Sequence, residues 1–138
     1  MTKSMWTDFH YINLRMNRYL DSVLAHAGIT SQQFVLMSLL SNNKNIAITE
    51  LAALFGADRT SVSRTNQPLI RDGMIRLAPK GEDGRCKIFV LTEKGTTTLA
   101  AAQLAWDKAN IHFNLQLQEK GIDKLPEMLS VFAKSLYC

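Results

Sequence analysis

Cysteine is scarce: Cys86 and Cys138 are the only two in 138 residues, and they form no CxxC pair. That excludes a disulfide framework and gives no structural zinc site, and it fits a reducing compartment. Three prolines and seven glycines are too few to build a flexible or polyproline linker, and no internal repeat is present. The longest apolar run, residues 34–40, is interrupted by Ser38 and falls far short of the ~20 residues that a membrane-spanning helix needs. Residues 1–8 carry one lysine and no apolar core, so they do not read as a secretory signal. Charge of one sign is also in short supply, since 16 basic against 12 acidic side chains leave only +4. This balance permits a polyanionic partner without demonstrating one. A soluble, cytoplasmic protein is expected.

What is present is the composition of an ordinary folded domain, 46% hydrophobic and 20% charged, in a length suited to one domain over residues 1–138. The first segment places Phe9, Ile12, Met16, Tyr19, Leu20, Val23 and Leu24 at helical spacing, and Gly28 is placed just beyond its end. Thr30-Ser31-Gln32-Gln33 reads as a capping box, which opens a second helix running to about Ser41. After a polar loop, Thr49 is a candidate cap for a short helix over residues 50–55 that Gly56 ends. Asp58 opens the next, over residues 59–72, closed by Gly73. The short step from Gly56 to Asp58 leaves room only for a tight turn, which is helix-turn-helix spacing. Pro68 lies inside that helix and predicts a bend after Arg64.

Beyond Gly73, residues 74–78 and 86–91 are short strand candidates separated by the turn-rich residues 79–84, a hairpin with a charged tip. Thr92 caps a long helix carrying Leu99, Ala102, Trp106, Ala109, Phe113 and Leu117, which Gly121 breaks. A last helix is expected from Asp123, with Leu125, Met128, Leu129, Phe132 and Leu136 as its apolar stripe. The fold class expected is mainly α with a small β-hairpin, α+β: a winged helix-turn-helix lobe over 30–95, with long terminal helices over 5–28 and 96–138.

Charge concentrates in residues 56–94, where eight basic side chains face five acidic ones and hold +3 of the net +4. The helix opening at Asp58 presents Arg59, Thr60, Ser61, Ser63 and Arg64 from its first turns, with Gln67 a turn further on. That end of a recognition helix enters the major groove, where arginine reads guanine edges bidentately and hydroxyls reach bases or phosphates. The hairpin tip adds Lys80 and Arg85 at a reach suited to the flanking backbone or minor groove. Together these residues describe a winged helix that binds double-stranded DNA.

The sequence resembles the MarR family of winged-helix transcription regulators. The resemblance lies in Ile29-Thr30-Ser31-Gln32-Gln33-Phe34, Glu50-Leu51-Ala52, the run from Asp58 to Arg64, Pro68-Leu69, Asp72-Gly73-Met74-Ile75, the wing's Asp83-Gly84-Arg85, and Leu91-Thr92-Glu93-Lys94-Gly95. A departure falls at Leu77, apolar where many members carry arginine, with Arg76 preceding it. The resemblance implies a homodimer joined through the first and last two helices, a palindromic operator, and a repressor whose affinity responds to a small aromatic ligand. It also assigns Arg85 to the minor groove and Asp83 to orienting it. The apolar stripes of the terminal helices support the dimer independently, since a small lobe cannot bury them all.

Other residues offer weaker chemistry. Trp6, His10 and Asn13 on the first helix border the region where the resemblance places a ligand, although packing also accounts for the aromatics. Cys86 stands beside Arg85, where an electropositive neighbour can activate a thiol, so an oxidant-responsive regulator is one alternative. A winged-helix module that binds protein rather than DNA is another. His10, His26 and His112 have no metal-ligand spacing. No metal, cofactor or catalytic set is expected, and the chain does not read as an enzyme.

Overall fold

The computed structural model describes residues 4–56, 58–81 and 84–136. The chain runs α1 (Met5–Leu24), α2 (Ser31–Asn42), α3 (Ile48–Phe55), α4 (Arg59–Arg71), β1 (Ile75–Lys80), β2 (Cys86–Leu91), α5 (Glu93–Glu119) and α6 (Leu125–Ser135), with one 3-10 turn at Ala25–Ala27. This is the mainly helical architecture with a two-stranded antiparallel hairpin that the sequence implies.

α2 is the centre of the core. Phe34, Leu36, Met37 and Leu40 are buried on it, and α1, α3, α4, β2 and α5 all pack around it. Phe34 stacks on Trp106 of α5 with ring centroids 4.3 Å apart. Truncating Leu36 or Met37 to alanine would cost about 2–5 kcal/mol at such a site. The helix starts where its capping box dictates: Thr30 Oγ1 accepts the Gln33 N–H at 3.2 Å, and Gln33 Oε1 accepts the Thr30 N–H at 3.0 Å. From α1, Asp21 Oδ1 adds a third acceptor for this end by taking the Ser31 N–H at 2.7 Å.

Three element boundaries differ from the sequence reading. α3 begins at Ile48, with Ala47 as an extended cap residue that supplies no side-chain bond, and Thr49 lies within the first turn. Ile46 and Leu51, the residues that flank such a start as a hydrophobic staple, are 7% and 1% exposed and belong to one core cluster. Apolar packing therefore sets this start in place of a hydroxyl cap. β1 runs through Pro79 and Lys80, which pair with Lys87 and Cys86. In a two-stranded ribbon each strand has a free edge, so Pro79 lacks a donor only where none is needed. α6 begins at Leu125, because the Leu125 N–H turns back to Ile122 O at 3.0 Å and Pro126 occupies the first helical turn.

α4 passes through Pro68 without a break in the helix. It closes in a Schellman motif, the Met74 N–H reaching Leu69 O at 2.8 Å and the Gly73 N–H reaching Ile70 O at 3.1 Å. Gly73 takes φ 74°, a conformation that a Cβ would strain. No single helix among the described residues is long and apolar enough to cross a membrane.

Candidate nucleic-acid interface

α4 divides sharply into two faces. Val62, Asn66 and Leu69, spaced four and three residues apart, are buried against the core. Arg59, Thr60, Ser61, Ser63, Arg64 and Gln67 are all exposed. The Asp58 carboxylate fixes the start of the helix by accepting the Ser61 N–H at 2.7 Å. That backbone bond, the Ser61 hydroxyl and the positive field of Arg64 hold its pKa below the usual value.

Five of the six exposed residues come together. Arg59, Thr60, Ser63, Arg64 and Gln67 line one groove of about 540 Å³, whose apolar side is made by Ile48, Val62, Ile70 and the wing's Phe89. Two guanidiniums, two hydroxyls and a carboxamide thus share a concave surface between α4 and the hairpin. Such a donor set suits phosphates and base edges. Ser61 faces away and lines a second concavity of about 490 Å³ with Asn13, Asn17, Ser31 and Trp106.

The hairpin carries the rest. Lys80 is exposed at the end of β1 and pairs in register with Cys86, the exposed first residue of β2. Arg85 is exposed just before β2. Asp83 lies outside the described residues. On the strand, Leu77 is exposed beside Arg76, so the apolar departure noted in the sequence faces solvent.

The three residues read as bordering a ligand do not assemble. Trp6 stacks on His10 with centroids 5.7 Å apart near the exposed start of α1, whereas Asn13 lines the concavity that Ser61 shares. Within its wall the Ser31 hydroxyl is buried and has no hydrogen-bond partner among the described residues. Among those residues no three His, Cys, Asp or Glu side chains converge to hold a metal ion.

Asn66 was not singled out from the sequence. It is 2% exposed, it borders the groove, and neither carboxamide atom has a hydrogen-bond partner among the described residues. The signal was available in the helical period, since Asn66 falls on the stripe of Val62 and Leu69.

A helix-turn-helix packed on the core by one face of each helix, an exposed reading face on its second helix and an adjoining two-stranded hairpin define a winged-helix protein. Residues 29–87 match the model of the MarR family. Solved structures agree over nearly the whole chain. The transcriptional regulator MosR of M. tuberculosis, in complex with DNA, is 25% identical with a TM-score of 0.74, covering 94% of this chain and 98% of its own. The transcriptional repressor CouR, bound to a 23-mer DNA duplex, is 25% identical with a TM-score of 0.84, covering 95% and 93%. A mutant of MarR from E. coli, complexed with operator DNA, shares the fold at 21% identity and a TM-score of 0.81, covering 93% and 92%. No curated relative matches the chain by sequence.

Proposed function

We propose that this winged-helix regulator is a homodimeric repressor that reads a palindromic operator. The observation that carries the reading is the division of α4, with Arg59, Thr60, Ser63, Arg64 and Gln67 gathered on one exposed groove while the opposite face is locked in the core. In this reading α4 enters the major groove and Lys80 and Arg85 of the wing reach the flanking duplex, while Ser61, on the concavity behind α4, stands apart from the DNA contact. Asp83 has the role the resemblance gives it, orienting Arg85. The DNA-bound state of MosR and CouR supports the same use of the fold.

The lobe over residues 30–95 does the reading, and residues 5–28 and 96–138 join two copies. Support for that division comes from apolar surface. Met5, Trp6, Met128, Val131 and Leu136 are each more than 60% exposed, and α6 buries none of its described residues. Surface of this kind is expensive to leave in water and marks an association site. A dimer would set its two recognition helices about one DNA turn apart, ~34 Å.

A small ligand is proposed to modulate affinity from the concavity shared by Asn13, Ser31 and Ser61. It touches α1, α2 and the recognition helix together, so an occupant can favour one lobe arrangement over another. The buried Ser31 hydroxyl, which has no hydrogen-bond partner among the described residues, favours an occupant with a polar group.

Salt tests the reading. With duplexes selected by the protein from its own chromosome, affinity should fall steeply between low and physiological salt as several phosphates are neutralised. Salt-independent capture of a protein partner, with no duplex preferred, would support the protein-binding module instead.

A further inference from the structure

The end of the recognition helix is held by the beginning of α5. Three successive carbonyls at the close of α4 are involved. Lys94 Nζ donates to Asp72 O at 2.8 Å. The Thr92 hydroxyl donates to Gly73 O and lies 3.1 Å from Met74 O, so its single proton serves one carbonyl at a time. The Thr92 backbone N–H reaches Met74 O at 3.0 Å. The same hydroxyl oxygen accepts the Gly95 N–H at 3.0 Å, so one atom both closes α4 and caps α5. Lysine is also the favourable charge at a helix C-terminus.

Gly95 makes the junction tight. It has ordinary backbone angles, yet a Cβ built on it would stand 1.9 Å from Met74 O and 2.9 Å from Met74 C. No rotamer change relieves that clash, because the obstructing atoms are backbone. Gly95 and Met74 are both buried. Beyond this point α5 continues for a further six turns or so at ~1.5 Å per residue, first against the α2 core through Leu99, Ala102 and Trp106 and then along α1, where Phe113 meets Tyr19.

We propose that Thr92, Lys94 and Gly95 are positioning residues that weld the recognition helix to α5, so that lobe and α5 move as one arm and the half-site spacing is enforced without slack. The inference rests on the proposed DNA-binding reading. None of the three lies in the groove, so each acts through the position of α4.

The test uses the full-length protein and a duplex that the wild type selects from a random-sequence pool, remade with one or two base pairs inserted or deleted between its half-sites. Lys94→Ala and Thr92→Val are the main variants, since Gly95→Ala can fail to fold. Their helix content and dimer size are checked first. The wild type should discriminate strongly against altered spacing, and the variants should lose about tenfold of that discrimination. Weaker binding with an unchanged ratio between spacings is what a merely structural role would give, and it would overturn the proposal. A second readout needs no DNA: the distance distribution between spin labels at Gln67 and Lys108 of one chain, measured with unlabelled partners in a background lacking Cys86 and Cys138. Broadening in the variants supports the weld and an unchanged width overturns it. If the wild type selects no duplex, the DNA-binding reading falls while this distance still decides whether the weld exists.

Discussion

Asp58 Oδ1 lies 2.7 Å from the Ser61 backbone nitrogen, the bond that starts the recognition helix. A carboxylate accepts it better than a carboxylic acid does, and this bond is the leading cause that lowers the Asp58 pKa from its ordinary 3.8. The folded pKa is below the unfolded one, so the cap's contribution is fully present above about pH 4 and fades as pH falls through the folded value. Asp58 is fully exposed, so the effect should be local fraying. Amide exchange at Ser61 and Val62 should rise relative to the core as pH drops below 3.8, after correction for intrinsic rates. Asp58→Asn should flatten that dependence; an unaltered profile would remove the carboxylate from the account.

Much of this frame is legible because its causes are local. Thr30 and Gln33 announce a helix start by themselves, Asp58 does so three residues before Ser61, and Gly73 marks the close of α4. The start of α3 was hidden because Ile46 and Leu51 meet only when the core forms. The interface residues were readable on α4, but their sorting was not: Ser61 turns toward α1 and away from the groove. Asn13 likewise parts from Trp6 and His10, because packing of α1 on the lobe decides which of its turns overlies a concavity.

Replacing Arg64 or Arg85 with alanine should weaken binding to a selected duplex while leaving the fold intact, since both side chains are exposed. The two losses should differ in kind. An arginine that reads a guanine edge gives up about 1–3 kcal/mol and relaxes preference at one position, whereas a phosphate contact lowers the salt slope by about 1. Titrations across salt and across single-base variants of the duplex separate them, and wild-type values for both proteins would remove these arginines from the interface.

Asn66→Leu should stabilise the protein. The carboxamide is buried among Val62 and Leu69 with neither atom bonded to another described residue, an arrangement that costs about 1–3 kcal/mol, and leucine is close to it in length. A rise in the thermal midpoint is expected. A fall would mean that the carboxamide is satisfied in solution.

Charge placed on α6 should separate the dimer. Phe132 stacks on Phe9 of α1 with centroids 5.8 Å apart, while Val131 beside it is 70% exposed and points out of this chain. Val131→Glu therefore leaves the contacts within one chain in place and sets a carboxylate where the proposed partner's apolar surface must come. Desolvating an unpaired charge costs several kcal/mol, enough at two symmetric positions to shift a micromolar or nanomolar dimer to monomer at working concentrations. Sedimentation should show that shift with helix content kept, and duplex affinity should collapse with it, because a lone lobe reads one half-site. A Val131→Glu protein that stays dimeric would place the partner's surface elsewhere on α1 and α5.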